Sequence, residues 1–345
     1  MRPLTTALTG PSATLRDQLA RCLVLRRPGL VAVLWTLDPS PEGPVLRTVV
    51  DARGTHDSTR LEGCCVSCAV RDDAPEVLDL LGDRWAEVLL VLPTPARADD
   101  VLAGLPVDRV ATAVDAVLLR SQLTGDDLLA DRGQAAAPTD RRSTAELVVG
   151  HVEDADVVAV EGLPRLPTAA ARTAQALLSH LAPLAAQVVL APGGEGCEEL
   201  LATVPAARPP AEERLEAAAL AAQLCPPACD VATAVWTADR PLHPGRLADA
   251  LPDLVRGLVR SRGTLWLAGR ERDRLRWEQA GGSVMLGAPS PWDRLPASAL
   301  VLTGLGVEPA VVVAALDACL ATDRELVEGA FPDPFADVLG PAVRR

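Results

Sequence analysis

Lysine, asparagine, isoleucine and tyrosine do not occur in this chain of 345 residues, and arginine supplies all 33 of its cations. Chemistry that needs a lysine or an asparagine is therefore excluded. The bias toward Arg, Ala, Gly, Pro and Val is that of a GC-rich coding sequence. No apolar stretch approaches 18 residues free of charge, and Met1-Arg2-Pro3-Leu4-Thr5 lacks a secretory apolar segment. These two absences predict a soluble, cytoplasmic protein with no membrane partner. A net charge of −13 and the lack of any basic stripe with interleaved aromatics argue against a nucleic-acid partner.

What is present is ample apolar material, 49% of the residues, in a chain longer than one core usually supports. Apolar runs at 3–9, 30–37, 45–50, 87–92, 109–114, 156–160 and 187–190 read as strands. Helical spacings lie between several of them, such as Leu15, Leu19, Cys22 and Leu23, or Leu147, Val148 and His151. This alternation predicts an α/β domain over 1–203, a mostly parallel sheet with helices on both faces. Pro-rich stretches then bracket a short Glu/Ala/Leu-rich helix, so 204–230 reads as a linker.

From 231 to 345 a smaller α+β domain is expected. Val231–Thr237 reads as a strand, and His243-Pro244-Gly245 opens a helix whose apolar face is Leu247, Leu251, Leu254 and Leu258. Thr264–Ala268 is the next predicted strand, Leu275 to Leu286 a hairpin turning at Gly281-Gly282, and Leu300–Thr303 a last strand before a helix from Glu308 to Leu320.

Three of the eight cysteines fall within five residues, in Gly63-Cys64-Cys65-Val66-Ser67-Cys68. The segment lies between a strand and a helix, where thiols can be exposed. Cys65 and Cys68 have the C-x-x-C spacing from which two thiolates grip one tetrahedral Zn²⁺. Cys64 is an added potential ligand, although neighbours in extended backbone point apart; Glu62 and Asp72 are candidate oxygen donors. Two or three thiolates with an open position suit a site that hands metal on. The alternatives are small buried residues in a tight turn, and thiol redox chemistry.

The segment resembles the Gly-Cys-x-Cys-Cys motif of the CobW-type GTPases, with Ser67 in the place of a middle cysteine and Cys64 where the glycine falls. The second half strengthens the likeness. Arg240-Pro241-Leu242-His243-Pro244 resembles the Arg-Pro-Phe-His-Pro signature of the family's C-terminal domain. Ser261 to Ala268, Trp277, Ala280-Gly281-Gly282, Leu302-Thr303-Gly304, Thr322-Asp323 and Asp333-Pro334-Phe335 continue in the family's order. The chain is thus similar to actinobacterial-like members of a class that includes the urease and hydrogenase nickel-insertion G proteins. That resemblance implies a P-loop-NTPase-like N-terminal domain, a CobW C-terminal-type domain, metal handling with Zn, a client or sister metalloprotein as partner, and GTP with Mg as cofactor.

The family's nucleotide parts are degenerate here. A phosphate loop needs glycines, a Lys for the β and γ phosphates and a Ser/Thr for Mg²⁺. In its place stands Thr9-Gly10-Pro11-Ser12-Ala13-Thr14-Leu15-Arg16. Gly10, Ser12 and Thr14 are its vestigial cofactor-binding candidates, and Arg16 is displaced along the helix, so its reach inward cannot be assumed. Where the guanine-reading motif belongs, the chain has Glu161-Gly162-Leu163-Pro164, and Leu92-Pro93-Thr94-Pro95 replaces an expected acidic residue. No catalytic residue is assigned. The reading is a zinc-handling metallochaperone or regulatory paralogue without GTP hydrolysis; the rivals are a residual GTPase and an interaction scaffold with relic cysteines. His243 is read as a helix cap or a metal donor, Cys225 and Cys229 as linker residues, and Cys22, Cys197 and Cys319 as packing residues.

Overall fold

The computed structural model describes residues 2–38, 44–202, 213, 216–217, 220–221, 229–293 and 295–340. Contacts divide the chain into two compact units, Met1–Gln122 with Asp127–Ala218, and Leu123–Asp126 with Ala219–Arg345. The predicted linker, 204–230, falls largely outside the described residues. No helix among the described residues is long and apolar enough to cross a membrane.

The first unit is an α/β domain built on an eight-stranded sheet. Its strands are β1 (Leu4–Thr9), β2 (Leu30–Leu37), β3 (Val45–Asp51), β4 (Gly54–Leu61), β5 (Glu87–Val91), β6 (Arg109–Asp115), β7 (Val157–Glu161) and β8 (Ala186–Val189), in the spatial order β4-β3-β2-β5-β1-β6-β7-β8. All neighbours are parallel except β2–β3 and β3–β4, which form an antiparallel edge. The helices are α1 (Ala13–Arg26), α2 (Val66–Leu81), α3 (Ala98–Val101), α4 (Ala116–Thr124), α5 (Thr144–Asp154), α6 (Thr168–Leu181) and α7 (Glu199–Ala202).

Period-2 alternation sends successive side chains of the central strands into two different cores. Val31, Val33 and Trp35 pack with Val66, Val70, Ala74 and Val77 of α2 on one face. Leu30, Ala32 and Leu34 pack with Leu15, Leu19 and Leu23 of α1 on the other. The sheet is thereby covered on both sides, as continuous apolar strands require. β4 escaped the sequence reading because Gly-Thr-His-Asp-Ser-Thr-Arg-Leu has no large apolar residue before its last position. Its side chains are exposed or half-buried, and its backbone pairing with β3 alone makes it a strand.

The second unit holds an antiparallel sheet of β9 (Val231–Ala238), β10 (Leu258–Leu265), β11 (Asp273–Ala280), β12 (Ser283–Leu286) and β14 (Ser298–Leu305), ordered β12-β11-β10-β14-β9, with the two-residue β13 (Ser290–Pro291) on β11. Helices Pro244–Leu254 and Pro309–Ala318 supply Leu247, Leu254, Val312 and Leu316 to its core, where Trp236, Leu265, Leu275 and Trp277 are buried. Two boundaries differ from expectation. The first of these helices stops at Leu254, because Gly257 turns the chain at φ +81° and Leu258 opens β10 instead. The strand read as Thr264–Ala268 therefore ends at Leu265, and Leu267 makes only an isolated bridge to Leu242.

Gly10, where β1 passes into α1, has φ +144°, and a Cβ there would lie 2.2 Å from the Ala113 carbonyl oxygen of β6. Both the backbone region and the space demand glycine. Gly10→Ala is expected to lower the stability of this unit by roughly 2–4 kcal/mol in denaturant titration.

His151 of α5 is fully enclosed, with Nε2 3.2 Å from the Ala96 carbonyl oxygen. Burial first, then the guanidinium charges of Arg16, Arg97 and Arg142, drive its pKa down to about 3. Below the ordinary histidine pKa of about 6.5 the unfolded chain takes up a proton that the folded chain refuses. Stability should accordingly decline as pH falls from about 6.5 toward 3, and His151→Leu should flatten that part of the pH–Tm profile while leaving it unchanged above pH 7.

Candidate metal centre

The cysteine segment is the passage from β4 into α2. Gly63 lies against the first turn of that helix, where a Cβ would come within 3.1 Å of the Ala69 Cβ. Cys65 is the N-cap, extended at φ −158° and ψ 166°, and its Sγ accepts the Cys68 backbone N–H at 3.3 Å. A sulfur thus takes the role usually filled by a Ser or Asp oxygen. The next orphan donor, the Val66 N–H, goes to the Ala136 carbonyl at 3.1 Å. That loop is itself braced by Asp140, which accepts from the Ala136 N–H at 2.9 Å and from the Arg142 guanidinium at 2.8 Å. Burial opposes the charge of Asp140, but these donors outweigh it and hold its pKa at about 2.

Three sulfurs converge here. The Cys65 and Cys68 Sγ atoms are 3.2 Å apart, and those of Cys64, Cys65 and Cys68 all lie within 4.8 Å of one another. Cys64, expected to point away from its neighbour, joins the group: it is exposed, while Cys65 and Cys68 are half-buried. Glu62 and Asp72 are both exposed and stand outside the three-sulfur group.

The electrostatics favour one thiolate. Burial pushes the Cys65 pKa up, but hydrogen bonds from the Cys68 thiol, the Cys68 backbone N–H and the Cys64 thiol outweigh it, and the net direction is down. The positive end of α2 acts in the same sense. Cys68 is pushed up to about 12, first because its proton is held by the Cys65 sulfur, then by Cys64 and by the Cys65 charge. A divalent cation displaces those protons on binding. In a tetrahedral zinc site with Zn–S near 2.3 Å, sulfurs are separated by about 3.8 Å. The pair at 3.2 Å need spread by only about half an ångström, so the donor set fits zinc with three thiolates and one open position.

In the loop after β1, the Ser12 and Arg16 side chains bond within the chain itself. Ser12 is the N-cap of α1, its Oγ accepting the Leu15 N–H at 3.2 Å, and Thr14 is exposed. Arg16, whose direction the sequence left open, turns inward and is 3% exposed. Its guanidinium donates to the Gly10 carbonyl oxygen and, at 3.0 Å, to Thr94 Oγ1, leaving Nε without a partner. Burial lowers its pKa to about 10. At the end of β7, the Glu161 carboxylate pairs with Arg165.

Other candidates take structural roles. His243 caps helix Pro244–Leu254, its Nδ1 accepting the Arg246 N–H at 3.2 Å, and stacks edge-on against Phe331 with ring centroids 5.5 Å apart. Cys319 is buried, with Sγ 3.2 Å from the Ala315 carbonyl, and Cys229 is exposed; Cys225 lies outside the described residues. The sequence reading missed three residues that hold the site. Buried Asp73 of α2 accepts from Trp35 Nε1 at 2.8 Å and from Arg47 at 2.6 Å, and Arg47 also reaches Asp57 at 2.6 Å. Their signal was an acid on the apolar face of α2, one turn before Val77.

Residues 231–320 match the family described as the cobalamin synthesis protein cobW C-terminal domain. The chain is 30% identical to the zinc chaperone Rv0106 of Mycobacterium tuberculosis over 91% of its own length and 88% of that protein's, and equally to the Mb0109 protein of Mycobacterium bovis. Among solved structures, the Zn(II)-bound YjiA GTPase of Escherichia coli is 18% identical at a TM-score of 0.33, with 93% of this chain and all of that one covered. The nickel complex of HypB from Helicobacter pylori is 11% identical at a TM-score of 0.32, covering 63% of this chain and 87% of that one. On the full-length match to the mycobacterial proteins and the matching C-terminal domain, the chain belongs to the CobW-type family of GTPase metallochaperones.

Proposed function

We propose that this chain is a metal-homeostasis protein that carries Zn²⁺ as cargo on Cys64, Cys65 and Cys68 and passes it to a client metalloprotein without hydrolysing GTP. The observation that carries this reading is the convergence of three sulfurs at an exposed helix start, with no fourth protein ligand beside them among the described residues. A structural zinc site closes with four ligands; three leave a position through which a client's donor can enter and ligands exchange. The name of the mycobacterial relative, a zinc chaperone, agrees with that chemistry. Free thiols of this kind persist in a reducing cytoplasm, the compartment we assign.

The loss of hydrolysis is supported by charge. Phosphoryl transfer is catalysed by positioning and by cations set against a triphosphate. No lysine exists in the chain, and the buried Arg16 directs its donors to Gly10 and Thr94. Pro11 removes one backbone donor from the loop, and Ser12 Oγ already serves the Leu15 N–H.

Anaerobically purified protein should bind one Zn²⁺ per chain at neutral pH, with an affinity that rises with pH because protons leave Cys68 and its neighbours as the metal enters. The Cys65→Ala/Cys68→Ala double variant should lose that binding while keeping its fold. Failure of the unaltered protein to bind zinc more tightly than micromolar would overturn the proposal. For the nucleotide part, a ligand at a hundred times its Kd would raise Tm by about 5–10 °C. Millimolar GTP with Mg²⁺ should leave the Tm where it is; a rise of that size would restore the GTPase reading.

A further inference from the structure

A second pair of sulfurs meets in the same α/β unit. Cys22 of α1 and Cys197, in the turn before α7, are 175 positions apart in the chain, yet their Sγ atoms are 3.1 Å apart. The turn is made by Gly193, Gly194 and Gly196, all in the left-handed region at φ +83°, +81° and +85°. At Gly194 the close approach requires it, since a Cβ would lie 3.3 Å from the Cys22 sulfur. The Cys22 thiol also points at the Gly194 carbonyl at 3.6 Å, and Arg26 pairs with Glu198 at 3.1 Å across the same two elements.

The two thiols differ in access. Cys197 is fully buried, whereas Cys22 is half-buried and lines an open cavity of about 570 Å³ with Leu19, Leu25 and Leu190. Burial, followed by the neighbouring Cys22 and Glu198, pushes the Cys197 thiol up to about 12. Arg26, one helical turn beyond Cys22, places a positive charge beside the accessible sulfur.

We propose that Cys22 and Cys197 are a reversible dithiol–disulfide site, oxidised by a small peroxide entering that cavity, which fastens the 191–199 turn to α1. The site is distinct from the zinc-facing cysteines and does not rest on their role. The reaction balances with hydrogen peroxide. The Cys22 thiolate attacks one peroxide oxygen, the O–O bond breaks, and the departing hydroxide takes up a proton and leaves as water. The resulting sulfenic acid is attacked by the Cys197 sulfur, 3.1 Å from Cys22 Sγ, and the Cys197 proton passes to the departing sulfenic oxygen. The S–S bond forms, the sulfenic oxygen leaves as the second water, and two thiols have given two electrons to one peroxide. A small thiol reverses the step by exchange.

The test uses the full, unaltered chain. Treat it with equimolar hydrogen peroxide, block residual thiols with iodoacetamide, digest at arginine and map the peptides by mass spectrometry. The expected product is a peptide pair joined through Cys22 and Cys197 that dithiothreitol separates into two alkylatable thiols. In Cys197→Ser, Cys22 should instead be trapped as sulfenic acid by dimedone. Both cysteines remaining fully alkylated, Cys22 advancing to sulfinic acid in the unaltered chain, or linkage of either to another cysteine in preference would each overturn the proposal. Any Cys65–Cys68 linkage formed in the same sample appears on a separate peptide, so the outcome is read independently of the zinc reading.

Discussion

The candidate metal centre depends on a buried carboxylate. Asp73 sits inside the apolar interface between α2 and the sheet, where an unpaired charge would be severely destabilising. Trp35 of β2 and Arg47 of β3 satisfy both of its oxygens, and Arg47 reaches on to Asp57 of β4. One polar chain therefore fastens the cysteine-bearing helix to three successive strands, including the exposed edge. Apolar packing alone lets a helix rotate or slide by a fraction of a turn at modest cost; a buried carboxylate held by a different donor on each oxygen does not. The position of the three sulfurs is set by this contact and by the loop that receives the Val66 N–H.

A chain whose cations are all guanidinium groups solves its buried electrostatics in a particular way. A guanidinium offers five donors in a fixed plane and keeps its charge when buried, so it bridges several acceptors at once. Arg47 does so among strands, Arg142 in the loop beside the cysteines, and Arg16 at the end of β1. At the last position the guanidinium is an internal strut. Its donors already face a carbonyl and a hydroxyl of its own chain.

The parallel strands were legible in the sequence because both of their faces are buried, which makes them continuous apolar runs such as Leu-Val-Ala-Val-Leu-Trp. β4 was not, since a solvent-facing edge strand carries no such run and its register comes from β3. The helix opened by His243 was readable, but its end was not: leucines at helical spacing continue past Leu254, and only the left-handed turn at Gly257 assigns Leu258 to a strand. At the candidate site, the C-x-x-C spacing identified Cys65 and Cys68, whereas the approach of Cys64 depends on backbone angles no spacing rule supplies. The direction of Arg16 was left open for a related reason, because a long side chain one turn into a helix can fold back over the cap or extend outward. Asp73, Trp35 and Arg47 needed the tertiary pairing itself to be seen.

The capping role of Cys65 separates this centre from metal modules that unravel when stripped. Its sulfur terminates α2 by accepting the Cys68 amide, and the helix rests on a full apolar interface below. The helix start is therefore formed without an ion, and an ion bound there adds to the stability of a fold that already exists. Under the proposed reading, an ion entering or leaving the three sulfurs would meet a helix start already capped, so its exchange would not have to wait on folding.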